Sequence, residues 1–189
     1  MRIDEVLAQN EQFLQEKQLP VIGHAPRKQL ALVTCMDCRL VQMFETALGI
    51  QRGDVVEMRT AGATISIPER ESGANDLIRS LAGSIYLLGV REVMVIGHTQ
   101  CGLAHANPTA LIASMQALGV DPDTLIKREG LGDVNGLLQW VGAFNDVHLN
   151  VREVVNVIRN SPYLPKIPVH GLVIDIITGK LEVVDRAAA

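Results

Sequence analysis

Apolar residues recur along this chain in two spacings. Three short runs, Gln29–Thr34 (QLALVT), Asp54–Met58 (DVVEM) and Glu92–Ile96 (EVMVI), have the length and composition of buried strands. Between them the spacing turns helical. Ile3, Val6, Leu7, Phe13 and Leu14 make one stripe over residues 3–17, with Asp4 placed to cap it. Val41–Leu48 reads as a short helix ended by Gly49. Leu77, Ile78, Leu81, Ile85 and Leu88 share one face of a helix over Asn75–Leu88, with Gly89 at its end. The clearest stripe runs through Val134, Leu138, Val141, Phe144, Val147, Val151, Val154 and Ile158. It predicts one long helix over Val134–Ile158, stopped by Pro162. Thr60–Gly73 and the stretch holding Asp121, Pro122 and Gly130 read as loops, and small helical pieces are expected from Thr109 to about Gly119. His170–Ile177 and Leu181–Val184 read as strands joined by a Thr178-Gly179-Lys180 turn.

Strands alternating with helices predict an α/β fold, a mostly parallel central sheet flanked by helices with a C-terminal antiparallel edge strand. The expected organisation is one domain over residues 1–189, with an N-terminal helix and arm over residues 1–27. The helix is amphipathic, and such an arm can pack on a second subunit.

Composition narrows the function classes. The net charge is −4, and no Lys/Arg cluster or aromatic-basic stripe suggests a nucleic-acid partner. No apolar run approaches the roughly 18 residues that span a bilayer. The first residues, MRIDEVLAQNEQFLQEKQ, lack the apolar run of a secretory signal, so the expected location is cytoplasmic. Three cysteines cannot all pair. In a reducing compartment, grouped cysteines point to metal binding or catalysis before disulfides.

Two segments group them. Cys35-Met36-Asp37-Cys38-Arg39 and His98-Thr99-Gln100-Cys101-Gly102 each follow a predicted strand directly. Ligand crevices in open α/β sheets lie at the carboxyl ends of strands, and two neighbouring parallel strands would bring both segments together. Thiolate and imidazole are donors that zinc prefers. His98 and Cys101, at i and i+3, can face one ion, and Cys35 adds a third ligand. Three ligands leave a fourth position open, as catalytic zinc requires. A closed structural site is the competing reading, with Cys38 as fourth ligand. Against it, the chain has apolar sequence enough for a core without a metal clip. His24, His105, His148 and His170 have no partner that sequence can name, and His105 is expected to face solvent.

In combination, C-x-D-x-R and H-x-x-C resemble the β-class carbonic anhydrases. Arg59-Thr60-Ala61-Gly62-Ala63 is similar to that family's R-N-A-G-G loop, and Gly97-His98-Thr99-Gln100-Cys101-Gly102 to its G-H-[ST]-x-C-G segment. His170–Asp175 and Thr178–Leu181 resemble its closing strand and turn. The likeness runs from about residue 28 to 184, and Asn75–Leu81 resembles the short prokaryotic branch. The resemblance implies Cys35, His98 and Cys101 as ligands of one Zn2+ per subunit. It implies Asp37 and Arg39 as a catalytic dyad and Gly62 in the substrate pocket, offering backbone N–H. The activity implied is reversible hydration of CO2 to bicarbonate by a zinc-bound hydroxide. Hydrolysis of carbonyl sulfide or carbon disulfide on the same scaffold is the alternative, and a non-catalytic zinc protein a third reading. The family also forms dimers that build the site at their interface, so a homodimer or homotetramer is expected. Asp37 is expected either paired with Arg39 or swung onto the metal. Departures from the family pattern fall at Cys38 (Ser or Ala there), Thr60 (Asn) and Ala63 (Gly), and the last two bear on the pocket.

Overall fold

The computed structural model describes residues 2–16, 19–65 and 75–188. Five strands form one sheet: β1 (Leu30–Cys35), β2 (Val55–Thr60), β3 (Glu92–His98), β4 (Val169–Ile174) and β5 (Leu181–Asp185). Their order is β2-β1-β3-β4-β5. The first four are parallel, and β5 runs antiparallel to β4 at the edge. The expected fold class is observed.

Seven α-helices lie among the described residues: α1 (Arg2–Glu16), α2 (Met43–Leu48), α3 (Asp76–Leu88), α4 (Pro108–Ala117), α5 (Pro122–Glu129), α6 (Val134–Trp140) and α7 (Val147–Asn160). Side chains alternate across each strand, so the sheet has two apolar faces. Ala31, Val33, Val93 and Val95 meet Leu77, Ile78 and Leu81 of α3 and Val151, Val154 and Val155 of α7. On the other face Leu30, Leu32, Ile96, Leu172 and Ile174 meet Leu40, just ahead of α2, and Phe44 within it. Two glycines let α7 sit close. A Cβ on Gly97 would stand 2.8 Å from Val147 Cγ2 and Val151 Cγ2, and one on Gly171 would stand 2.8 Å from Val151 Cγ1.

Several elements differ from their sequence pattern. The long helix over Val134–Ile158 is two helices, α6 and α7. Gly142 turns the chain with φ 91°, and the Asp146 side chain accepts from Leu149 N to start α7. Val141 and Phe144 keep helical spacing because the intervening loop also packs inward. The stretch with Asp121, Pro122 and Gly130 is not a loop but α5. Asp121 caps it, Pro122 opens it and left-handed Gly130 closes it. The short helix expected over Val41–Leu48 starts at Met43, and Cys38–Leu40 ahead of it form a 3-10 turn. Asp4 lies in the first turn of α1, not before it. Of the Thr60–Gly73 stretch, residues 66–73 lie outside the described residues. No helix among the described residues is long and apolar enough to cross a membrane.

Candidate metal centre

The chain leaves β1 for β2 on one side and returns to β3 on the other. The strand order therefore reverses between β1 and β3, which is where open α/β sheets open a crevice. Cys35 is the last residue of β1 and His98 the last of β3. Thr60, the last of β2, pairs with Cys35 in register. Three neighbouring strand ends thus deliver the turn 36–40, the turn 99–102 and the loop 61–64 to one place.

Each turn is locked by its own residues. Asp37 Oδ1 accepts from Arg39 N at 2.9 Å and starts the 3-10 turn, and Leu40 anchors that turn in the core. Arg39 donates from Nε to Asp37 Oδ1 at 3.0 Å and from Nη2 to Asp37 Oδ2 at 2.6 Å. The same Nη2 donates to the carbonyl of Gln100 at 3.1 Å and ties the two turns together. Gln100 presents that carbonyl from a left-handed backbone, φ 54°. Behind the site, Arg59 pairs with Glu57, lies over the Phe44 ring at 5.6 Å, and donates to the Cys35 carbonyl at 3.1 Å.

Cys35, His98 and Cys101 are all buried, and one donor atom from each lies within 4.8 Å of the others. The two Sγ atoms are 3.9 Å apart. Sulfurs bound at about 2.3 Å to one tetrahedral zinc would stand about 3.8 Å apart. His98 Nδ1 lies 2.9 Å from the Thr99 carbonyl, so that nitrogen carries the proton and Nε2 offers its lone pair. Nε2 is buried without a hydrogen-bond partner. An orphaned imidazole nitrogen beside two thiols fits a soft divalent ion such as zinc. Between themselves the donors already share charge. The hydrogen bond with Cys101 lowers the Cys35 thiol far below its ordinary value and raises that of Cys101. Burial opposes the charged form of His98, yet the charge of the neighbouring Cys35 and the Thr99 carbonyl at Nδ1 raise its pKa.

Asp37 Oδ2 sits 3.7 Å from His98 Nε2 and faces this cluster. Its hydrogen bond with the Arg39 side chain holds its carboxyl at about 2, so it is ionised at neutral pH. Of the two arrangements expected for Asp37, this is the one paired with Arg39. Cys38 is exposed and does not join the cluster. His24 and His105 face solvent. His148 and His170 do have partners: His148 Nε2 lies 3.3 Å from Glu182, and His170 Nε2 lies 3.3 Å from Glu92. Gly62 is buried in the loop after β2, with φ 67°; a Cβ there would stand 2.7 Å from Phe144 Cε1. One residue in this neighbourhood escaped the sequence reading. Asn150 of α7 donates to the Gly62 carbonyl at 3.1 Å. The available signal was a polar residue at i+3 from Val147 and i−4 from Val154 on a buried stripe.

The family model described as carbonic anhydrase matches residues 30–181. Similar proteins include the candidate carbonic anhydrase YvdA of Bacillus subtilis, 36% identical over 184 residues, which span 95% of this chain and 89% of that protein. A carbon disulfide hydrolase of Acidithiobacillus thiooxidans is 30% identical over 167 residues, 85% of this chain and 79% of that one. Among solved structures, β-carbonic anhydrase isoform I of Trichomonas vaginalis superposes with a TM-score of 0.87 at 35% identity, covering 100% of both chains.

Proposed function

Since this chain belongs to the β-carbonic anhydrase family, we propose that it catalyses the reversible hydration of CO2 to bicarbonate, with one zinc ion per subunit held by Cys35, His98 and Cys101. The observation that carries the reading is an ionised carboxylate, Asp37, clamped by Arg39 and facing the orphaned Nε2 of His98 at a cluster of two buried thiols. Bound there, zinc supplies Lewis acidity and makes a water acidic enough to act as a nucleophile near neutral pH.

The remaining roles fall to the chain. As thiolates, Cys35 and Cys101 offset a divalent charge, so more of the work of aiming the nucleophile falls on Asp37. An ionised carboxylate is an acceptor only. Its Oδ2 therefore takes the O–H of a water at the cluster and turns a lone pair toward the substrate carbon. Arg39 keeps Asp37 ionised and fixes its plane through two parallel hydrogen bonds. Gly62 contributes to the substrate pocket through its backbone. Hydrolysis of carbon disulfide or carbonyl sulfide is the second reading, favoured by the 30% identity to a carbon disulfide hydrolase. A second copy of the chain is the expected partner, docked through α1.

Stopped-flow CO2 hydration, run beside sulfide release from carbon disulfide and carbonyl sulfide, tests this on zinc-loaded protein. Catalytic CO2 hydration is expected. Asp37→Asn should lower it by about 10²-fold with zinc content kept, as for a lost proton-handling group, and Cys101→Ser should lose the zinc. Sulfide release without CO2 hydration would select the second reading. Zinc binding with neither activity would make the protein a non-catalytic zinc carrier.

A further inference from the structure

Asn150 is a polar residue in a place that suits a hydrocarbon. It lies on the apolar stripe of α7 beside Val151 and is 2% exposed. Burying an amide costs on the order of 1–3 kcal/mol where its hydrogen bonds are not replaced. Among the described residues its Oδ1 meets no donor, so the bond from Nδ2 to the Gly62 carbonyl is what offsets that cost. The close seat of α7 makes this bond reachable. Gly97 and Gly171 let Val147 and Val151 approach the sheet, and Asn150 comes down with them onto a residue 88 positions away in sequence.

The bond has a direction. Gly62 and Ala63 are successive left-handed residues, φ 67° and 55°. The Ala61 carbonyl accepts from Thr64 N at 3.2 Å, and the Gly62 carbonyl accepts from Asn150. Two successive peptide groups are therefore each held by the oxygen. A trans peptide is planar, with its N–H opposed to its C=O. Fixing the Gly62 oxygen toward α7 turns the Ala63 N–H away from α7. Ala63 is fully buried, and it packs in the same cluster as Cys35 and Cys101.

We infer that Asn150 is a positioning residue for the substrate pocket: by holding the Gly62 carbonyl it turns the Ala63 N–H toward the Cys35–His98–Cys101 side, where that N–H donates to a terminal atom of the linear substrate. This rests on the proposed catalytic reading of the cluster. Asn150 acts through the loop and touches no reacting atom.

The test compares the zinc-loaded wild type with Asn150→Leu, similar in size but without a donor. Activity is expressed per bound zinc, well below both unfolding temperatures, and amide hydrogen exchange is followed over residues 61–65. The inference expects kcat/KM to fall at least about tenfold, less than the 10²–10³ of a donor removed outright, and the Ala63 amide to exchange faster. A residue that serves stability alone would lower the unfolding temperature and leave activity per zinc within twofold of wild type, which would overturn the inference. Should Asn150→Leu fail to fold, the smaller Asn150→Ala, also without a donor, supplies the same comparison. A wild type inactive on CO2, carbonyl sulfide and carbon disulfide would instead sink the catalytic reading. Unchanged exchange at Ala63 in the variant would sink the role of Asn150 whatever the activity.

Discussion

Gln100 holds a backbone that most L-residues avoid, at φ 54°, and its side chain is exposed. Left-handed backbone costs a residue with a Cβ about 1–2 kcal/mol. Glycine removes that strain but has more freedom to lose on folding, about 0.4–1 kcal/mol. The strain is the larger effect, so Gln100→Gly should raise the melting temperature by about 1–4 °C, measured by calorimetry on matched samples. Ala63 has nearly the same φ, 55°, but it is fully buried against the cysteines. There a glycine would also forfeit a packed methyl, so the two left-handed residues are not equivalent. At this scale the sequence was explicit about ligand chemistry. Cys35, His98 and Cys101 stand out as candidate ligands by residue type and spacing, whereas Asp37 and Arg39 enter as a dyad through the family resemblance. Asn150 is marked in neither way, because its partner is not near in sequence and not chemically distinctive.

Helix starts at the element scale depend on carboxylates. Asp121, Asp133 and Asp146 each accept backbone N–H bonds at the first turn of α5, α6 and α7. Asp175 does the same for the turn into β5, through Ile177 N and Thr178 N. Hydrogen bonds hold all four carboxyls below the usual carboxylate range: from the Thr124 side chain at Asp121, and from the backbone N–H of Gly136, Leu149 and Thr178 at the other three. A carboxyl whose folded pKa is depressed stabilises the fold above its unfolded value of about 3.9 and loses that effect as pH falls through its folded value. These four carboxyls should therefore make the melting temperature, followed by circular dichroism, fall as pH drops below about 4. Asp146→Asn keeps a capping side chain but no titrating group, and should flatten part of that acid limb. These caps also explain where the sequence was hard to read. Asp146 and Gly142 break the 134–158 stripe, but Phe144 between them falls in step with it and masks the break. Asp121, Pro122 and Gly130 look like loop residues in isolation, although together they are the start and stop of α5.

Across the whole molecule, α1 stands apart. None of its residues is buried, and Ile3, Val6, Leu7 and Leu14 are between 52% and 67% exposed. A 15-residue helix is marginal alone in water and gains most of its stability from packing. A second copy related by two-fold symmetry is the simplest surface to supply it. Sedimentation should give at least a dimer at micromolar concentration, and removal of residues 1–27 should lower the mass or the melting temperature of the assembly. A monomer of unchanged stability in both forms would refute this. The sheet itself was legible from sequence, because alternating runs allow few connections once crossovers are right-handed. The adjacency of β1 and β3, which brings Cys35 and His98 together, did not follow from that pattern, because alternation leaves the strand order open.

The distance between those strand ends along the chain has a consequence for how the protein is made. Cys35 and Cys101 are 66 positions apart. With a ribosome adding about 5–20 residues per second, Cys35 emerges on the order of 3–13 s before Cys101 does. During that interval the nascent chain carries two cysteines three positions apart with no fold to separate them. Cys35 is sequestered when β1 is paired on both sides, with β2 through Thr60 and with β3, and Cys38 is left outside. Newly synthesised protein is thus more vulnerable to oxidants than the finished molecule, and the protecting event is the assembly of the parallel strands around β1.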